Sequence, residues 1–173
     1  GNFLLYSIIA FVPLHLSLHL GLSEGITCTI IATQALAVAI TSSRVKELSF
    51  RFGTIRIISV GFLLVTAALL TIPFNSSIAG MILILFCFGC GLGMIIPLLN
   101  TMITDAVDPQ YVGAAASLFN TMNFAGQSAS PFLLGIISGM FGLSIVFVTA
   151  EAVAVSAAIA VWRMGGFFPV SFK

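Results

Sequence analysis

The chain has 173 residues, of which 60% are hydrophobic and 6% charged, against about 25% charged in a typical soluble domain. A domain of this size leaves a large surface exposed and has too few charged side chains to cover it, so lipid is the expected solvent. A net charge of +1, with six Lys and Arg in all, excludes the clustered basic surface that nucleic-acid phosphates require.

Six apolar stretches are long enough to cross a hydrocarbon core of ~30 Å as helices. They predict an all-α membrane protein, a single six-helix transmembrane domain over residues 1–173. The chain opens on Gly1 rather than Met, as expected of a fragment or of a chain with residues missing upstream. No basic segment or small-residue cleavage site precedes the first apolar run, so a signal peptide is not expected. That first span runs from about Phe3 to Leu20 and carries His15 and His19 four residues apart. The spacing suits a metal, but only Glu24 is near as a further ligand, so no metal site is expected.

The second span, Ile26 to Thr41, contains Gln34, and the charged stretch Ser42 to Arg56 reads as the loop that follows it. The third span runs from Ile55 to Ile72 and stops at Pro73-Phe74-Asn75-Ser76-Ser77, a turn-rich break. The fourth, Ile78 to Ile103, contains Gly89-Cys90-Gly91-Leu92-Gly93 and then Pro97. Glycine lets helices approach closely and proline bends them, so a packing and hinge role is expected of these four residues. A phosphate loop is excluded, since no strand precedes these glycines and they lie inside a lipid-spanning helix. Cys87 and Cys90 have CxxC spacing without a second ligand pair, and with Cys28 they lie in apolar runs, where cysteine acts as a small apolar filler. Neither a disulfide framework nor a redox compartment follows from them.

The fifth span, Ala114 to Met140, follows a loop with the turn-forming pair Asp108-Pro109. It places Asn120, Asn123 and Gln127 on one stripe of the helix. Amides are too costly to point at lipid, which leaves two readings: they line a water-filled cavity, or they hydrogen-bond between helices. Gly126, Pro131, Gly135 and Gly139 add a small-residue seam with a built-in kink, suited to a helix that bends or rocks. The sixth span, Leu143 to Val161, holds Glu151 with no Lys or Arg in any span to neutralise it. A carboxylate inside the membrane is either a proton carrier or a protonated group held at a helix contact.

If the spans alternate, Arg44, Lys46, Arg51, Arg56, Arg163 and Lys173 share one side with both termini, and that side is expected to be cytoplasmic. A β-barrel would show alternation over ~10-residue segments, whereas these apolar runs are continuous. With five acids and two histidines, no catalytic triad, paired carboxylates or complete metal set can be assembled, so neither an enzyme nor a cofactor is expected.

Taken in order, these pieces resemble the C-terminal six-helix half of a major facilitator superfamily transporter of the bacterial drug or small-molecule efflux kind. The resemblance covers nearly the whole chain. It rests on Ile8-Ile9-Ala10-Phe11-Val12-Pro13-Leu14 with Gly21-Leu22-Ser23, on Gly89 to Pro97, on Asp108-Pro109-Gln110-Tyr111-Val112-Gly113 leading into Ser117-Leu118-Phe119-Asn120, and on Gly126 to Pro131 to Gly135. In the loop after the second span, Leu48, Arg51 and Gly53 match the family's cytoplasmic motif, while Lys46 and Phe50 stand where it has Gly and Asp.

The resemblance implies a three-plus-three inverted repeat and a substrate site near the midplane between two halves. The other half would be a missing N-terminal part, a separate chain or a second copy. It further implies a lipid-embedded antiporter of the bacterial inner membrane, exporting a small molecule against protons. Gln34, Asn120, Asn123 and Gln127 would line the path and Glu151 would carry the proton. A half-transporter serving only as a structural subunit of a membrane complex is the alternative.

Overall fold

The computed structural model describes residues 2–20, 23–75 and 77–165. Among these there are six α-helices and no strand: α1 (Asn2–Leu20), α2 (Glu24–Phe52), α3 (Thr54–Thr71), α4 (Ile78–Asp105), α5 (Val112–Phe141) and α6 (Leu143–Gly165). Two short 3-10 turns, Ile72–Phe74 and Pro109–Tyr111, extend α3 and lead into α5. Helix is the only spanning form these apolar segments can take without closing a barrel, because lipid offers backbone groups no partner. Four spans are long and apolar enough to cross a membrane: α2, α3 with its 3-10 turn, α4, and α5 with the turn before it. In α1 and α6 the apolar stretches among the described residues are Asn2–Leu14 and Ile145–Ala157. Of the six expected spans, four are supported by length and composition among the described residues.

One expected loop is not a loop. The charged stretch Ser42 to Arg56 continues α2 as far as Phe52, turns at Gly53 alone, and enters α3 at Thr54. Arg, Lys, Glu and Leu are good helix formers, so leaving the apolar region does not end the helix. Gly53 ends it: its φ is 89°, a conformation side-chain-bearing residues rarely adopt, and its N–H caps the Ser49 carbonyl. At 29 residues and ~1.5 Å per residue, α2 outruns the ~30 Å hydrocarbon core and carries Arg44, Lys46, Glu47 and Arg51 on its exposed surface.

The core is centred on α4, which lies between α2 and α3; α3 packs in turn on α6, and α1 packs on α5 and α6. Leu85, Phe88, Leu92 and Ile95 of α4 are fully buried, as are Val65 and Leu69 of α3, Ile8 and Val12 of α1 and Ala150 and Ala154 of α6. Their spacings of three, four and seven are those of a helix face. The outside is apolar as well: Leu36, Leu63, Leu83, Phe124, Phe132 and Met140 are all exposed. A soluble bundle would turn polar residues outward at such positions.

Candidate functional site

The glycines of α4 form two seams rather than one. At ~100° per residue, Gly89 and Gly93 fall on one face of the helix and Gly91 on the opposite face. A Cβ on Gly89 would strike the Gln34 carbonyl oxygen and come within 2.8 Å of Ala37 Cβ, both on α2. One on Gly93 would lie 2.9 Å from the Val38 carbonyl oxygen and from Thr41 Cβ. On the other side, a Cβ on Gly91 would sit 2.6 Å from the Gly61 carbonyl oxygen of α3, and one on Gly61 would sit 2.9 Å from that of Gly91. Backbone thus meets backbone across both contacts, which only glycine permits. Beyond the seams, Pro97 has no N–H to offer the Gly93 carbonyl, which leaves the α4 ladder open one turn above the proline. Gly61 was missed in the sequence, since a lone small residue in an apolar run carries no signal until its partner is known.

The amide stripe of α5 runs from open to closed. Asn120 is exposed, Asn123 and Gln127 are half-buried, and Ser130 and Leu134, next on the same stripe, are buried. Phe3 at the start of α1 lies beside Gly126, its backbone nitrogen 3.8 Å from where a Gly126 Cβ would be. Pro131 also deprives the Gln127 carbonyl of its helical donor, adding an acceptor beside the amides. Ser130 Oγ is buried without a hydrogen-bond partner. Gly135 and Gly139 meet nothing within 4 Å, unlike the glycines of α4.

Gln34 is not beside these amides. It is 3% exposed on the α2 face turned to α4, with Oε1 unpartnered. Glu151 is half-buried and lines a cavity of about 410 Å³ with Leu69, Leu70, Pro73, Phe74 and Val148. That places it level with the end of α3, away from the α5 stripe. Leu48 and Arg51 lie on the last turns of α2, half-buried and exposed respectively, directly before Gly53. The side chains of His15 and His19 lie outside the described residues. Among the described residues no three His, Cys, Asp or Glu side chains gather as metal ligands, and Cys28, Cys87 and Cys90 are free.

A cavity the sequence did not announce sits where α2, α3 and α4 meet below Pro97. It holds about 360 Å³ and is lined by Ser42, Val45, Lys46, Ser49, Phe50, Gly53, Thr54, Pro97, Leu98 and Thr101.

Apolar helices that pack through glycine and turn apolar side chains outward define a multi-pass α-helical membrane protein. The chain belongs to the Major Facilitator Superfamily, whose family model matches residues 2–169. It is similar to an uncharacterised MFS-type transporter, YvkA, of Bacillus subtilis (strain 168), with 23% identity over 158 residues, 90% of this chain and 36% of the relative. It is also similar to the bacillibactin exporter of the same organism, with 26% identity over 106 residues, 53% of this chain and 26% of the exporter. The match therefore spans about a third of the length of the first relative and about a quarter of the second.

Proposed function

We propose that this chain is one six-helix half of a proton-coupled secondary transporter that exports a small molecule by alternating access against a second half. The observation that carries the reading is the α5 stripe: in a Major Facilitator Superfamily chain, Asn120, Asn123 and Gln127 remain open or half-open on a helix that would otherwise face lipid. Exposed amides at membrane depth need water, a solute or a facing helix, and a path between two halves supplies all three.

The helix pairing supports a three-plus-three repeat. Exchanging α1, α2 and α3 with α4, α5 and α6 turns the α2–α4 contact into the α5–α1 contact and the α3–α4 contact into the α6–α1 contact, while α3–α6 maps onto itself, and all of these contacts are present. Arg44, Lys46, Arg51 and Arg56 cluster at the α2–α3 junction, which supports a cytoplasmic placement of that junction and, by alternation, of both termini in the bacterial inner membrane. Export draws support from the relative named an exporter. Glu151, a carboxylate in an apolar cavity, is the candidate proton carrier, and Gln34 acts from behind the α2–α4 seam as a buried polar contact. No resident cofactor or catalytic step is part of this reading.

Proteoliposomes of the full-length protein with an imposed proton gradient provide the test. Substrate flux falls in Asn123→Ala, and gradient dependence is lost in Glu151→Gln while passive exchange remains. Unchanged coupled flux in both variants would remove the two assignments.

A further inference from the structure

We propose that the cavity between the ends of α2, α3 and α4 binds an anionic phosphate group, in a site separate from the α5 path. The argument begins with the α3 N-terminus. No side chain caps it, because Gly53 is the N-cap, so the N–H groups of Thr54, Ile55 and Arg56 have no partner in the helix. Such a terminus favours negative charge.

The hydroxyls around the cavity differ in one respect. Ser42 Oγ donates to the Ala39 carbonyl at 3.1 Å, Ser49 Oγ to the Lys46 carbonyl at 2.8 Å and Thr101 Oγ1 to the Pro97 carbonyl at 3.1 Å. Thr54 Oγ1 has no partner, although the residue is only 5% exposed and lines the cavity. A buried hydroxyl left unpaired is costly, and here it sits on the first residue of the uncapped helix. Lys46 supplies the charge, and no carboxylate is among the lining residues. Between residues 44 and 56 four cations stand against the single acid Glu47.

The position sets the ligand class. These cations lie at the end of a membrane-crossing bundle, where phospholipid phosphates lie, and basic pockets between helices at that depth hold anionic headgroups. Phe50 lines the cavity and is 74% exposed, with Phe52 exposed beside it, so apolar surface is at hand for a glycerol backbone and acyl chains. A zwitterionic choline headgroup would set its own cation against Lys46.

The experiment uses the full-length protein in phosphatidylcholine nanodiscs doped with phosphatidylglycerol, with retained lipid counted by native mass spectrometry. A parallel arm adds inorganic phosphate to phosphatidylcholine-only discs and follows thermal unfolding. Phosphatidylglycerol retention is expected to weaken roughly fivefold in Lys46→Gln and about tenfold in Thr54→Val. Thr54→Ser, which restores the hydroxyl, and Arg44→Gln, a nearby cation outside the lining, are expected to behave as wild type. A phosphate-induced stabilisation lost in Thr54→Val, without lipid retention, supports the same site with free phosphate as its ligand. Equal binding by Thr54→Val and wild type, equal losses in Arg44→Gln and Lys46→Gln, or no binding in either arm would overturn the proposal.

Discussion

Helices α4 and α5 have nearly the same ingredients, since each is about thirty residues long with three or more glycines and one internal proline, yet they stand in opposite relation to their surroundings. In α4 the glycines let two neighbouring backbones in at once, with α2 on the Gly89–Gly93 face and α3 on the Gly91 face. In α5, Gly113, Gly135 and Gly139 meet nothing within 4 Å, and only Ser130 and Leu134 are buried. A glycine is thus a permit for close approach, and whether it is used depends on a partner placed elsewhere in the chain. One helix is fixed on two sides within this chain, and the other has most of its surface left for lipid, solute or a second half.

The contrast can be broken hardest at Gly91. Gly91→Leu places a large side chain where even a Cβ would lie 2.6 Å from the Gly61 carbonyl oxygen; loss of the monodisperse protein in detergent chromatography is expected. Gly89→Ala is milder than a leucine, with overpacking against the Gln34 carbonyl oxygen and Ala37 costing about 1–3 kcal/mol, read as a lowered thermal midpoint. On α5 the sensitivity moves from stability to activity. Asn123→Ala leaves the thermal midpoint within error and lowers flux roughly fivefold, the worth of about one hydrogen bond. The smallest effect belongs to Gly135→Ala, expected within about 0.5 kcal/mol of wild type. A Gly135→Ala protein as unstable as Gly89→Ala would show that α5 also has a tight partner, absent from the described residues.

Much of this architecture could be read from the residues. Continuous apolar runs, Pro and Gly breaks and the basic cluster gave the helices and their order, because lipid leaves backbone few choices. The α2 extent was misjudged because charge marks the edge of the membrane, whereas only Gly53 marks the end of the helix. The amide stripe was legible from periodicity, since its residues belong to one helix. Gly61 opposite Gly91, the Thr54 cavity and the burial of Gln34 were not, because each depends on two or three helices meeting. The depth of Glu151 was likewise hidden, as it is set by where α3 ends beside it.

The one-residue joint at Gly53 has a mechanical consequence. With no slack between α2 and α3, and with α4 wedged against both, a tilt of any one of these helices transmits torque to the other two, so the three behave as one lever. A few inserted glycines at that joint would give the lever a clutch, leaving each helix folded while uncoupling its motion from its neighbours.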